Sequence, residues 1–170
     1  MERDDAVKMK GNPITLIGPE LKKGDQAPDF RCVETLGSEV SLENFGDDVK
    51  VFNVVVSVDT PVCDIQIRRF NEEAAALSDS VQIITVSMDL PFAQSRYCAA
   101  AGVERVRTAS DYQYASFGEA YGVLIKENRL LARAIFVVGR DNVIEHVEYV
   151  GDIVNEPDYN AALEVIKSTG

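Results

Sequence analysis

The sequence is short of the residues that build metal centres and disulfide frameworks. Its 170 residues include one histidine and three cysteines, with no CxxC pair. Zinc takes four closely grouped nitrogen and sulfur ligands, so this supply argues against a zinc site, and no motif asks for another cofactor. Positive charge is also scarce, 17 Lys and Arg against 28 Asp and Glu, for a net charge of −11. A chain this acidic repels phosphate backbones and anionic headgroups, which argues against nucleic-acid and membrane partners. No apolar run reaches transmembrane length. The charged start, Met1-Glu2-Arg3-Asp4-Asp5, leads into no apolar signal core. The expected location is therefore the cytoplasm, where thiols are kept reduced, and three cysteines there are not a structural disulfide framework. Internal repeats, low-complexity segments and linkers are absent. The length fits one domain, residues 1–170, around one sizeable core.

What is present is an alternation of strand and helix patterns. Residues 7–17 alternate apolar and polar on both sides of Gly11-Asn12-Pro13, which predicts an N-terminal β-hairpin within residues 1–18, turning at Asn12-Pro13. The runs Val49 to Val56 and Val81 to Met88 are apolar nearly throughout, as central strands buried on both faces are. A helical pattern from Pro61 to Leu77 lies between them, so the three form a βαβ unit with parallel strands. Further helices are predicted over Pro91 to Ala101, closed by Gly102, and over Tyr114 to Tyr121. Strands Leu131 to Val138 and Val143 to Val150 make a hairpin through Gly139-Arg140-Asp141-Asn142. A last helix runs from Pro157 to Lys167, with Tyr159, Ala162, Leu163 and Ile166 as its buried stripe. The class is α/β: a thioredoxin-like fold with a mixed central sheet flanked by helices.

Chemistry concentrates at Ser57-Val58-Asp59-Thr60-Pro61-Val62-Cys63, where the central strand ends and a helix begins. In open α/β sheets ligands bind at the carboxyl ends of the strands. Thr60 reads as N-cap and Pro61 as the first helical residue, which puts Cys63 in the first turn among free amides at the positive end of the helix dipole. A thiolate, the nucleophilic form, is stabilised there. The stripe Cys63, Ile67, Phe70, Ala74, Leu77 turns the sulfur toward the core. Position alone leaves Cys63 open between a nucleophile and a small buried hydrophobe. Arg133, within an apolar run, reads first as an edge residue whose stem covers apolar surface, with the partner of a buried anion as the alternative.

The segment Val58-Asp59-Thr60-Pro61-Val62-Cys63-Asp64 resembles the active-site loop of peroxiredoxins, specifically the bacterial thiol peroxidase subfamily. Leu90-Pro91-Phe92-Ala93-Gln94-Ser95-Arg96-Tyr97-Cys98 resembles that subfamily's resolving-cysteine helix. Arg68-Arg69-Phe70-Asn71, Tyr121-Gly122-Val123-Leu124-Ile125, Leu130-Leu131-Ala132-Arg133-Ala134 and Glu156-Pro157-Asp158-Tyr159 match in order. The N-terminal hairpin belongs to the same pattern.

The resemblance implies that Cys63 is oxidised by a hydroperoxide to a sulfenic acid and that Cys98 resolves it as an intramolecular disulfide. Thr60 would hydrogen-bond sulfur and peroxide, and Arg133 would lie beside the sulfur, favouring thiolate and steadying charge on the departing oxygen. It also implies reduction by a thioredoxin-like protein, hydrogen peroxide and alkyl hydroperoxides as substrates, a role in antioxidant defence, and a homodimer. Cys98 lies 35 residues beyond Cys63 on another predicted helix. A disulfide needs Cα atoms within about 7 Å, so pairing them requires local unwinding. Cys32 matches no motif and reads as structural, and His146, between two acids, reads as a surface residue. One position departs from the family: Val56 stands where peroxiredoxins generally carry a proline seven residues before the reactive cysteine. That departure invites a redox-sensing or binding module as an alternative, while the absence of CxxC spacing argues against a disulfide oxidoreductase.

Overall fold

The computed structural model describes residues 1–170. The strands are β1 (Glu2–Met9), β2 (Asn12–Ile17), β3 (Cys32–Thr35), β4 (Ser38–Val40), β5 (Val49–Val54), β6 (Val81–Ser87), β7 (Arg107–Ser110), β8 (Leu124–Ile125), β9 (Ala134–Val138) and β10 (Ile144–Tyr149). The helices are α1 (Pro61–Ala74), α2 (Pro91–Ala101), α3 (Ser116–Ala120) and α4 (Tyr159–Thr169). Seven strands form a mixed sheet in the order β10-β9-β5-β6-β7-β3-β4. Within it β5, β6 and β7 run parallel, and β9 pairs antiparallel with both β5 and β10. The predicted βαβ unit and the closing hairpin are both there.

The two faces of the sheet bury different cores, because successive strand residues point to opposite sides. Phe52, Ile84 and Phe136 face a layer built on Phe30, Phe117 and Tyr121, whose rings pack mostly edge to face. Val49, Val51, Ile83, Ile135 and Val137 face α1 and α4, which contribute Cys63, Ile67, Phe70, Ala162, Leu163 and Ile166. Phe70 and Tyr159 meet edge to face at 5.8 Å and join the two helices. No helix is long and apolar enough to cross a membrane.

The N-terminal hairpin forms, but it turns at Lys10-Gly11, with Met9 opposite Asn12. Both turn residues have positive φ, 51° and 80°, the conformation of a two-residue turn whose twist matches the strands it joins. With β8 the hairpin makes a separate three-stranded sheet. β5 stops at Val54 rather than Val56, although the Val55 amide still donates to Val86 at 3.0 Å. β9 starts at Ala134, so Leu131 makes only an isolated bridge to Leu124 and Arg133 precedes the strand. α1 ends at Ala74, three residues before Leu77, and α3 is a short Ser116–Ala120 helix within the predicted span. α4 begins at Tyr159, capped by Asp158, whose carboxylate accepts from the Ala161 amide at 3.1 Å. The short strands β3, β4, β7 and β8 lie in stretches that show no clear alternation.

Candidate active site

β5 delivers the chain to the carboxyl edge of the sheet, and a loop of six residues leads into α1. The loop is held by one carboxylate at the end of β6. Asp89 accepts from the Ser57 hydroxyl at 2.8 Å, the Val58 amide at 2.9 Å and the Ser87 hydroxyl at 2.6 Å. Thr60 then takes extended backbone angles at the N-cap and Pro61 starts the helix, as its fixed φ and missing N–H allow. Its hydroxyl does not cap: it donates to the Ser57 carbonyl at 3.2 Å, and no hydrogen bond joins it to Cys63.

Cys63 is the third residue of α1 and is fully buried. Its side chain packs into the core beneath the sheet, and Cys98 and Tyr97 of α2, both half-buried, pack against that same core. All three cysteines are free thiols. Burial pushes the Cys98 thiol above its ordinary value. Cys32 lies in the other core, where its thiol donates to Asp111 at 3.5 Å. Burial, reinforced by that carboxylate, holds Cys32 strongly toward the protonated, unreactive form.

Arg133 is 2% exposed. Its Nη1 donates to Gln66 Oε1 at 2.7 Å and its Nε to the Ile153 carbonyl at 2.9 Å. Gln66 in turn donates to Asn53 Oδ1, and Asn53 Nδ2 donates to Thr85 Oγ1 at 3.1 Å. A buried charge needs such partners. The sequence reading missed this chain of polar groups. Its signals were a glutamine on the buried stripe of α1, three residues after Cys63, and an asparagine inside the apolar run of β5.

Thr60 and Arg133 meet in the wall of a cavity of about 240 Å³, together with Val56, Pro61, Val62 and Ile153. Met9 and Lys10, at the tip of the N-terminal hairpin, line it as well, and its walls are mainly apolar. Cys63, fully buried, is not among the residues that line it. Val56 sits at a bend, half-buried, and its amide makes no hydrogen bond within the chain. His146 is half-buried and lines a surface pocket with Glu145 and Glu148. Its Nε2 is shut from solvent without a partner, and burial lowers its pKa.

Residues 22–163 match the redoxin family. The chain is 51% identical over 163 residues to a protein named thiol peroxidase from Halalkalibacterium halodurans, covering 96% of this chain and 98% of that one. It is 49% identical to the thiol peroxidase of Bacillus subtilis, covering 95% and 96% of the two chains. Among solved structures it is similar to a peroxiredoxin-like protein from Aquifex aeolicus, with a TM-score of 0.88, 41% identity and 96% of each chain covered. A thiol peroxidase from Chromobacterium violaceum shares the fold, with a TM-score of 0.84 at 22% identity and 95% of each chain covered.

Proposed function

The chain belongs to the redoxin family as a peroxiredoxin of the thiol peroxidase type, an enzyme of thiol-dependent peroxide reduction, and from that premise we propose that Cys63 is the residue the peroxide oxidises and Cys98 the one that resolves it. The Cys63 thiolate attacks the terminal oxygen of ROOH. The O–O bond breaks, the oxygen transferred to sulfur becomes a sulfenic acid, and RO⁻ leaves, taking a proton as ROH. The Cys98 thiol then displaces that oxygen as water and forms the disulfide. A dithiol protein of the thioredoxin type reduces it, returning both thiols and becoming a disulfide itself.

The observation that carries the proposal is the grouping at the carboxyl edge of β5: Cys63 in the first turn of α1, and Thr60, Arg133 and Val62, the residue before Cys63, in one apolar cavity wall. Negative charge develops on oxygen as the O–O bond breaks. A guanidinium already held by Gln66 and Ile153 is a donor that needs no reorganisation to meet it. Apolar walls suit alkyl hydroperoxides alongside hydrogen peroxide. The enzyme acts in antioxidant defence in the cytoplasm, as one domain of residues 1–170 and as a homodimer, for which exposed Ile65, Leu90 and Phe92 on or beside α1 and α2 offer apolar surface. No metal, nucleic acid or membrane enters the reaction.

Peroxide consumption by the purified protein with thioredoxin and its reductase tests this. Wild type should turn over repeatedly, and Cys63→Ser should not react. Cys98→Ser should complete one peroxide reduction, fail to be recycled by thioredoxin, and accumulate Cys63 sulfinic acid. Activity that survives Cys63→Ser would assign the reaction to another residue.

A further inference from the structure

The helices that carry Cys63 and Cys98 are tied to each other by side chains that the reaction itself does not use. Asp64, Arg68 and Asn71 stand four and three residues apart on α1, so they line one stripe of the helix. Asp64, the residue after Cys63, accepts a hydrogen bond from the hydroxyl of Tyr97, the residue before Cys98. Arg68 bridges the same pair of helices: Nε donates to Asp64 at 2.9 Å and Nη1 to the Ala101 carbonyl at 3.2 Å. Ala101 is the last residue of α2, so this carbonyl is one of those a helix leaves without an internal partner. Beyond the helix, the Arg105 amide donates to Asn71 Oδ1 at 2.9 Å.

These links matter because that end of α2 is only half-buried, the next buried side chain being Val103, beyond Gly102. The helix buries only Pro91 and Gln94, both in its first four residues. Gln94 is anchored, donating to the Ser87 hydroxyl and the Ala109 carbonyl, each at 3.0 Å. Tyr97, Cys98 and Ala101 rest half-buried against the core, and Gly102, left-handed at φ 69°, ends the helix. Local opening starts where burial is least and exposed hydrogen bonds are most numerous. Cys98 sits on the part of α2 that meets that description, and it is a free thiol on a different helix from Cys63, whereas a disulfide calls for Cα atoms within about 7 Å.

We infer that Tyr97, through Asp64 and Arg68, is a positioning residue that clasps the Cys98 end of α2 to α1, and that release of this clasp sets how fast the oxidised Cys63 is resolved. This rests on Cys98 being the resolving cysteine. A tight clasp lengthens the life of the sulfenic acid and exposes it to a second peroxide, which takes sulfur to the sulfinic acid, the peroxide leaving as ROH. A loose clasp favours the disulfide.

Tyr97→Phe removes the hydroxyl and leaves the ring in place. Arg68→Gln breaks the bridge from the other side. Oxidation by one equivalent of hydrogen peroxide, quenched at intervals and analysed by mass spectrometry, separates sulfenic acid formation from disulfide formation. In both variants the first step should keep its rate. The second should accelerate roughly three- to tenfold, the range one net hydrogen bond is worth. The sulfinic fraction in excess peroxide should fall accordingly. Amides of residues 95–102 should exchange faster in the reduced variants than in the reduced wild type. A second step that is unchanged or slower in both folded variants would overturn the clasp. A wild-type protein that forms no Cys63–Cys98 bond would overturn the two-cysteine reading itself, and the clasp with it.

Discussion

The helices α1 and α2 begin alike and are held differently. Each follows a parallel strand at the same edge of the sheet and each has proline in its first turn. α1 buries Cys63, Gln66, Ile67 and Phe70 along its length, while α2 buries only the first of its turns. Fully burying one aliphatic or aromatic side chain stabilises by about 1.5–3 kcal/mol, so α1 is fixed by the core and the end of α2 by a few polar links. The difference fits two tasks. In the proposed reaction Cys63 sits still against preoriented donors, whereas Cys98 travels to resolve it.

The contrast is most sharply broken on α1. Phe70→Ala removes a ring packed against Tyr159 and the sheet and should cost the whole protein about 3–5 kcal/mol in urea unfolding. Tyr97→Phe on α2 should cost less than about 1.5 kcal/mol. Equal losses would mean that the two helices are held alike.

The next largest effect is expected at Arg133. Arg133→Met should slow single-turnover oxidation of Cys63 by about a hundredfold or more, as loss of one preoriented donor does elsewhere. Arg133→Lys keeps the charge but not the planar fork, and should slow it less. The disulfide step should hold its rate in both, because it depends on α2. Unchanged oxidation in both variants would make Arg133 a purely structural ion.

Val56 gives a smaller effect of the opposite sign. The sequence alone suggests that Val56 prolongs the central strand and brings a backbone N–H, absent from proline, that must find a partner or water. β5 instead ends at Val54, and the Val56 amide bonds to nothing in the chain. Val56→Pro should therefore hold or raise stability by about 0.4–1 kcal/mol by limiting the unfolded chain. It should also speed Cys63 oxidation by closing a route for water through the cavity wall. A slower and less stable variant would show that the loop has adapted to valine.

How much of this was legible in the sequence follows from what each feature depends on. β5, β6 and α1 announce themselves because buried strands and an amphipathic helix leave periodic patterns. The place of Cys63 in the first turn follows from Pro61, since proline at the first helical position is a local rule, whereas the hydroxyl of Thr60 turns back to Ser57 instead of capping. The partners of Arg133 do not follow from local rules. Gln66 is 67 residues away, and only the fold brings it to 2.7 Å. The same holds for Asp89, which holds the loop from just past the end of β6, and for Tyr97 and Asp64, which touch because α1 and α2 lie side by side. The short strands at the sheet edges owe their form to their neighbours rather than to their own propensity.

The smallest effect is in acid. The Asp64 carboxyl is held below its ordinary value of 3.8, chiefly by the hydrogen bond from Tyr97; partial burial works the other way and Arg68 assists the lowering. Because its folded pKa lies below the unfolded one, its stabilisation is complete above 3.8 and is lost as pH falls through the lower folded value. At neutral pH the clasp is therefore insensitive to pH. In an NMR titration, Tyr97→Phe should move the Asp64 midpoint up toward 3.8. Coincident midpoints in the two proteins would contradict the hydrogen bond.

The central claim, that a fixed Cys63 is resolved by a mobile Cys98, is tested most directly by peptide mapping under non-reducing conditions after one equivalent of hydrogen peroxide. The expected product is a single intramolecular Cys63–Cys98 disulfide with Cys32 still a free thiol. A bond from Cys63 to Cys32, or sulfenic acid that persists with Cys98 unreacted, would contradict it.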